Sequence, residues 1–168
     1  MKSQAKHVKA ILTDVDGVLT DGGIYYDENG NEFKKFNVKD GQIVKNLKDN
    51  GIILGVITGR ISKSVDRRID ELGFDFYRSG VENKIVEFAN FLKKFGLKPD
   101  DVAYIGDDIN DLKLLKSVGF SSAPTDSRYY IRNTVDYVTN SKGGDGAFRD
   151  VADYILEAKG KFREILNK

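Results

Sequence analysis

The stretch ILTDVDGVLTDG, residues 11–22, joins a short apolar run to a cluster of aspartates and glycines. The apolar run ends at Thr13, is too short for a helix and is typical of a strand buried in a sheet. Asp14 and Asp16 follow at once, where that strand ends. In open α/β sheets ligands bind outside the carboxyl ends of the strands. The two carboxylates are therefore expected at a binding site.

Length and composition favour one globular domain spanning residues 1–168. The chain has 168 residues, of which 40% are apolar, enough for a hydrophobic core. Lys and Arg together number 27 against 26 Asp and Glu, so a nucleic-acid-binding surface is not indicated. The absence of cysteine excludes disulfides, thiolate catalysis and zinc–cysteine sites.

The sequence gives no sign of a membrane or export segment. No apolar run approaches the roughly 18 residues of a membrane span. The start MKSQAKHVKA lacks the apolar core of a signal peptide. A cytoplasmic location without a membrane partner is therefore expected.

Beyond residues 11–22, apolar runs alternate with amphipathic segments along the chain. Strands are predicted at residues 7–13, 52–58, 74–77, 102–106 and 137–139. Helices are predicted at residues 40–51, 62–73, 83–96, 108–119 and 146–166, with Asp40 and Ser62 as cap candidates and Gly51 as a stop. The last segment is either one long helix or a helix with a break at Gly160. This alternation predicts an α/β fold, a three-layer Rossmann-like parallel sheet with helices on both faces.

Residues 22–36 predict a β-hairpin flap. Asn29-Gly30 lies between two aromatic-rich arms, which is a strong hairpin signal. In a monomer Tyr25, Tyr26, Phe33 and Phe36 would leave an exposed apolar surface on this hairpin. An apolar surface of this kind favours a subunit interface.

The polar residues that follow the predicted strands should meet at one edge of the sheet. They are Asp14, Asp16, Thr58, Gly59, Arg60, Gly106, Asp107, Asp108 and Asp111, with Lys84 at the start of a helix. Converging carboxylates repel one another unless a cation is present. Oxygen ligands with room for water and phosphate suit Mg²⁺.

The same residues supply the parts of a phosphoryl-transfer reaction. An aspartate can attack phosphorus and form an aspartyl-phosphate, a role assigned to Asp14. Thr58 and Lys84 would hold the phosphoryl oxygens, since this chemistry depends on positioning and positive charge. Asp16 would act as general acid and then as general base.

Four motifs in order resemble the haloacid dehalogenase superfamily of phosphohydrolases. They are DVDGV, then Thr58 in VITGR, Lys84 in ENK, and GDDIND. The resemblance implies that the Asp14 carboxylate, the Asp16 backbone carbonyl and the Asp107 carboxylate bind Mg²⁺. It also implies that Asp108 and Asp111 lie nearby and orient Lys84 and water on the cation.

The spacing of the motifs leaves no room for the cap domain that many superfamily members carry. Asp16 and Thr58 are 42 residues apart, and Thr58 and Lys84 only 26. A capless site is open, so specificity for a small substrate would need a neighbouring subunit.

Among capless members, the chain resembles the 3-deoxy-D-manno-octulosonate 8-phosphate phosphatases over nearly its whole length. The similar stretches include DVDGVLTDG, FNVKDG, ITGR, VAYIGDDIND, KGGDGAFRDV and AKGKFRE. The resemblance implies hydrolysis of that sugar acid phosphate in lipopolysaccharide precursor synthesis, by a homotetramer in which hairpins pack together. The implied substrate contacts are Asp16, Asn37, Val38, Lys39, Asp40, Gly41, Lys45, Gly59, Arg60, Arg68, Lys84 and Arg149.

The C-terminal tail, residues 143–168, has two interpretations. By the resemblance it folds over an active site, its own or a neighbour's, where Arg149 assists. Alternatively Gly143, Gly144 and Gly146 are only a loop before the last helix.

Other functions stay open from the sequence. Close relatives of the family act on nine-carbon 2-keto acid 9-phosphates. Arg60 favours the eight-carbon substrate. The stretch YRSGVENK departs from the family pattern, so the substrate preference stays undecided. A receiver domain also uses Mg²⁺, Asp, Thr and Lys on a parallel sheet, but its phosphorylated Asp sits on a later strand. A catalytically idle binding module is the third alternative, although no catalytic residue is missing.

Overall fold

The computed structural model describes residues 2–167, in which strands and helices alternate. The strands are β1 (Ala10–Thr13), β2 (Tyr25–Tyr26), β3 (Glu32–Phe33), β4 (Ile53–Ile57), β5 (Phe76–Arg78), β6 (Val102–Ile105), β7 (Phe120–Ala123) and β8 (Tyr137–Val138). The α-helices are α1 (Lys2–Ala5), α2 (Val38–Asp49), α3 (Lys63–Leu72), α4 (Lys84–Phe95), α5 (Leu112–Leu115), α6 (Tyr129–Arg132), α7 (Ala147–Ala158) and α8 (Phe162–Leu166). The ends of the predicted domain and tail, residues 1 and 168, lie outside this range.

A six-stranded parallel sheet forms the centre of the molecule. Its strand order is β5-β4-β1-β6-β7-β8, so the strand from the opening stretch has a neighbour on each side. Thr13, the last residue of β1, pairs with Val56 of β4 and with Ile105 of β6. All four residues of β1 are buried. The residues after β1, β4 and β6 therefore emerge side by side, as predicted.

Alternate side chains of β1 enter hydrophobic clusters on opposite faces of the sheet. Ile11 belongs to the cluster that includes residues of α2, α3 and α7, such as Leu47 and Ile155. Leu12 belongs to the cluster that includes residues of α4 and α5, such as Phe91 and Leu114. The prediction of a three-layer α/β fold is confirmed.

The start of α2 differs from the prediction. The side chain of Asn37 caps the helix by accepting the N–H of Lys39 at 2.9 Å, so the expectation that Asp40 is the cap was wrong. Asp40 instead turns inward and accepts the backbone N–H of Arg149 at 2.8 Å. Both residues can cap a helix, and the packing of α7 against α2 determines which one does.

Two further stretches differ from the predictions. The helix expected at 108–119 is a 3₁₀ turn, Ile109–Asp111, followed by the short helix α5. Strand β7 was not predicted, because two of the four residues of its sequence FSSA are serines and none is β-branched. Of the two alternatives for the last segment, the structure has the break, because Gly160, with φ of 72°, lies between α7 and α8.

The hairpin flap is present as a two-stranded antiparallel pair, β2 and β3. Tyr25, Tyr26 and Phe33 are exposed, with 64% of Tyr26 accessible. Phe36 is different, because it packs against the core cluster. The segments between motifs hold only this hairpin, α2, α3 and the strands β4 and β5, so the described residues contain no inserted cap domain. Within residues 2–167 no helix combines the length and apolarity needed to cross a membrane.

Candidate active site

A buried ion pair lies at the carboxyl end of β1. Asp14 Oδ2 is 2.7 Å from the Nζ of Lys84, and Asp14 Oδ1 accepts the N–H of Val15 at 2.7 Å. Lys84 begins α4, and Asn83 caps that helix, so the helix start fixes the lysine against the strand end. Both side chains are almost fully buried. The pair lies behind an open pocket of about 260 Å³, to which Asp14 contributes.

Asp111 holds Lys84 from the other side. Its Oδ1 accepts from Lys84 Nζ at 2.6 Å and from the hydroxyl of Tyr104 at 2.5 Å. Its Oδ2 accepts the N–H groups of Asp107 at 3.0 Å and Asp108 at 3.3 Å. Both oxygens of Asp111 are thus engaged within the protein, and one of them holds Lys84.

Tyr104 is a site residue that was not predicted from the sequence. The residue lies in β6 and is fully buried. Its hydroxyl is the one polar side-chain group in the strand sequence VAYI. A buried Tyr hydroxyl normally has a hydrogen-bond partner. That pattern predicts a hydrogen bond but does not identify the partner.

Carboxylate oxygens of Asp14, Asp107 and Asp111 all lie within 4.8 Å of one another. Burial, only partly offset by Lys84, raises the pKa of Asp14 to about 6. Burial and repulsion from Asp14 and Asp111 raise the pKa of Asp107 to about 8. Asp14 and Asp107 line the pocket and Asp111 does not, so Asp14 and Asp107 are the carboxylates that a cation in the pocket would contact. This donor set fits Mg²⁺, which prefers oxygen ligands.

The approach of the loop after β1 to Asp107 depends on a glycine. Gly17 has φ of 82°, and a Cβ at this position would overlap the Asp107 carboxylate. A residue with a side chain would be strained here and would displace a candidate cation ligand. Gly17 therefore keeps the space around Asp107 open.

Lys84 keeps its charge despite its burial. Burial alone lowers the pKa of a lysine, but the carboxylates of Asp14 and Asp111 outweigh it and raise the pKa of Lys84 above its ordinary value. A permanent cation therefore lies beside the Asp14 carboxylate.

Most of the motif residues predicted from the sequence line the pocket. Its lining includes Asp14, Asp16, Thr58, Gly59, Arg60, Asp107 and Asp108, and also Gly17, Gly22 and Asn110, which were not predicted. Thr58 is buried, and its hydroxyl accepts the N–H of Arg60 at 3.4 Å. Asp108 is exposed and accepts from Ile109 N–H and the Tyr130 hydroxyl.

The hairpin adds charges that the sequence analysis did not single out. Lys34 pairs with Asp16 Oδ1, and Glu32 Oε2 accepts from Arg60 Nη2 at 2.6 Å. Arg60 Nε also lies 3.9 Å from Asp16 Oδ2. Two predicted site residues thus have partners on the flap.

Comparison with known proteins identifies relatives of this chain. A family model described as haloacid dehalogenase-like hydrolase matches residues 36–119. The 3-deoxy-D-manno-octulosonate 8-phosphate phosphatase of Haemophilus influenzae is 42% identical over 161 residues, which cover 96% of this chain and 89% of that protein. The chain belongs to this phosphatase family of haloacid dehalogenase-like hydrolases.

Solved structures of the phosphatase family have the same fold. A Moraxella catarrhalis 3-deoxy-D-manno-octulosonate 8-phosphate phosphatase in complex with magnesium, phosphate and KDO is 41% identical, with a TM-score of 0.96 over 99% of this chain and 95% of that one. The Yersinia pestis enzyme is 38% identical, with a TM-score of 0.94 over 96% of this chain and 88% of that one. Membership of a hydrolase family disfavours the receiver-domain alternative.

Several contacts implied by the phosphatase family do not line this chain's own pocket. They are Lys84, which reaches the site through Asp14, and Asn37, Val38, Lys39, Asp40, Gly41, Lys45, Arg68 and Arg149. Arg68 packs over Gly41, and Arg149 donates its backbone N–H to Asp40 and pairs its guanidinium with Asp153 at 2.7 Å. Asn37 to Lys45 lie in or next to α2, Arg68 lies on α3 and Arg149 on α7, and none of them lines the strand-end pocket.

The glycine-rich segment before α7 contacts the site loop of its own chain. Gly144 donates its N–H to the carbonyl of Val18 at 2.9 Å. A Cβ at Gly143 would overlap the carbonyl of Gly17, and a Cβ at Gly144 would overlap the backbone at Thr20 and Asp21. The start of the tail thus supports the loop that carries Asp16.

Proposed function

We propose that this protein is a Mg²⁺-dependent phosphomonoesterase that hydrolyses 3-deoxy-D-manno-octulosonate 8-phosphate to the free sugar acid and phosphate. The observation that carries the proposal is the buried Asp14–Lys84 pair, which ends at a pocket shared with Asp16, Thr58 and Asp107. The names of the family relatives supply the substrate.

The first step transfers the phosphoryl group to the protein. A carboxylate oxygen of Asp14 bonds to phosphorus while the bond from phosphorus to the sugar oxygen breaks. Asp16 gives its proton to that leaving oxygen, so the sugar departs as an alcohol. Lys84 and Thr58, beside Asp14, stabilise the charge on the phosphoryl oxygens.

The second step releases phosphate. Asp16, now a carboxylate, takes a proton from water as the water oxygen bonds to phosphorus. The bond from phosphorus to Asp14 breaks, and Asp14 and protonated Asp16 are restored.

The carboxylates of Asp14 and Asp107, with the backbone carbonyl of Asp16, would hold the Mg²⁺. When bound, the ion supplies positive charge near the phosphoryl group. Asp108 and Asp111 support this arrangement from outside, and Asp111 does so by fixing Lys84. EDTA should abolish activity and added Mg²⁺ should restore it; activity that persists in EDTA would contradict the metal assignment.

The far end of the substrate carries a carboxylate, and basic side chains away from the pocket suit it. Lys39 and Lys45 are exposed, and Arg68 and Arg149 lie near Asp40. We propose a substrate-facing region next to a neighbouring subunit's pocket, formed by Asn37, Val38, Lys39, Asp40, Gly41, Lys45, Arg68 and Arg149. Asp40 would act indirectly, through its hydrogen bond with Arg149.

A homotetramer built on the hairpins would bring such a region to the pocket mouth. The exposed Tyr25, Tyr26 and Phe33 provide the apolar surface for it. Light scattering should give a mass near four times the 18.8 kDa chain. A mass of one chain would rule out this assembly.

The decisive experiment compares kcat/KM for the eight-carbon and nine-carbon keto acid phosphates. Arg60 lines the pocket, and we expect it to favour the eight-carbon ester by about tenfold or more. Arg60→Glu should reduce that preference, with Arg67→Glu on the exposed side of α3 as the control. The opposite preference in the wild type would support the nine-carbon alternative, and no hydrolysis of either ester with Mg²⁺ would support an idle module.

The proposed reaction would belong to lipopolysaccharide precursor synthesis in the cytoplasm. The observations in its favour are the family relationship and the lack of a membrane-spanning helix within residues 2–167.

A further inference from the structure

The side chain of Lys34 is fully buried although it lies on an otherwise exposed hairpin. Its ammonium pairs with Asp16 Oδ1 and lies 3.5 Å from Glu32 Oε1. Burying an ammonium is costly unless carboxylates compensate for the lost water. Glu32 and Asp16 provide that compensation, and Asp16 Oδ1 still accepts from the ammonium when the proton of the acid form is on Oδ2. The hairpin therefore delivers a fixed cation to the residue proposed as acid and base.

The other contacts of the Asp16 carboxylate are weaker. The Thr20 hydroxyl lies 3.4 Å from Oδ1, and Arg60 Nε lies 3.9 Å from Oδ2. Asp16 follows the end of β1, in a turn without regular secondary structure. Lys34 therefore provides the strongest constraint on this side chain among the described residues.

Lys34 does not line the pocket, whereas Asp16 does. The lysine therefore reaches Asp16 from the hairpin side and occupies Oδ1. The second oxygen, Oδ2, remains the one available for proton transfer. Arg60, the nearer cation to Oδ2, is itself held by Glu32 at 2.6 Å.

We propose that Lys34 is a positioning residue that holds Asp16 in the orientation required for protonating the leaving oxygen. The hairpin would then be part of the catalytic apparatus as well as an assembly surface. This inference rests on the proposed function, in which Asp16 is the general acid.

The test uses two leaving groups. A sugar alkoxide needs a proton to depart, but p-nitrophenolate does not, so a misplaced acid slows the first ester selectively. The readout is kcat/KM, which reports the transfer of the phosphoryl group to Asp14. The alkyl ester is whichever of the eight- and nine-carbon phosphates the wild type hydrolyses faster.

Lys34→Met should lower kcat/KM for the alkyl ester by about 10- to 100-fold, and for p-nitrophenyl phosphate by less than about threefold. Lys35→Met is the matched control, because Lys35 is the exposed neighbour on the same hairpin. It should change both values by less than about twofold. Equal losses for the two esters in Lys34→Met would show a general structural defect and would overturn the inference, as would the absence of loss.

The variant Asp16→Asn tests the proposed acid role of Asp16 separately from the positioning role of Lys34. It should show the same selectivity with a larger loss. If Asp16→Asn is selective and Lys34→Met is not, only the inference fails; if Asp16→Asn is not selective, the proposed acid role fails and the inference fails with it. Should Lys34→Met not fold, Lys34→Leu also removes the donor to Asp16, and the same comparison of selective with equal loss applies.

Discussion

Two buried aspartates, Asp14 and Asp40, have nearly equal exposure and different surroundings. Both have a pKa of about 6, and burial is the largest cause in each case. Asp14 faces the ammonium of Lys84 at 2.7 Å and reaches a pocket. Asp40 accepts a backbone N–H from Arg149, and its Oδ2 has no hydrogen-bond partner among the described residues.

The difference shows that a raised pKa indicates that a carboxyl group is buried, but does not by itself identify a catalytic residue. Around Asp14, a cation partner, further carboxylates and an open cavity meet, which is what phosphoryl transfer requires. Around Asp40 the contacts join two helices, α2 and α7. The following predictions test whether this distinction between a reactive and a connecting carboxylate holds.

The largest effect is expected at Asp14. Asp14→Asn removes the proposed nucleophile and should lower kcat by about 10³-fold or more. Circular dichroism and thermal unfolding should show a folded protein, because the amide is similar in shape. Activity within tenfold of the wild type would refute the assignment.

A smaller loss is expected at Asp111, which acts through Lys84. Asp111→Asn puts an amide where Lys84, Tyr104 and two backbone N–H groups now donate, so kcat should fall about 10- to 100-fold. Asp136→Asn is a suitable control, since Asp136 also accepts a backbone N–H, from Ser121, but outside the pocket lining. If the two variants lose activity equally, Asp111 has no special relation to the site.

The connecting region should affect binding more than turnover. If Arg149 faces the carboxylate end of a substrate in a neighbouring subunit, Arg149→Met should raise KM about 3- to 10-fold with kcat within about twofold. Arg163→Met, on the exposed side of α8, should leave both constants unchanged. An unchanged KM in Arg149→Met would confine the region to a structural role.

The smallest effect concerns stability at Asp40. Because its pKa is higher in the folded state, about 6 against an ordinary 3.8, the folded protein binds the proton more tightly than the unfolded chain. This contribution is present below about pH 4 and is lost as the pH rises through 6. Asp40→Asn should remove that part of the pH dependence, about 1–3 kcal/mol in the unfolding free energy. Denaturant titrations at pH 4 and pH 7 measure it, and an unaltered difference would contradict the prediction.

The strand-end residues could be predicted because chain order and parallel topology together determine where Asp14, Thr58 and Asp107 emerge. The partners Lys34 and Tyr104 could not, since they depend on which way a side chain turns in a hairpin or a buried strand. Asp40 was misjudged for the same reason. A residue type that caps helices was present at the right place, but the contact with α7 turned it inward.

The contact between Gly144 and Val18 joins two parts of the chain that are synthesised at different times. During synthesis, Asp14 and Asp16 leave the ribosome early, but the segment that supports their loop follows more than one hundred residues later. The site can therefore reach its final form only when nearly the whole chain has been released. A protein shortened before residue 141 would retain Asp14, Asp16, Thr58, Lys84 and Asp107 and lose the contacts that support the loop carrying Asp16.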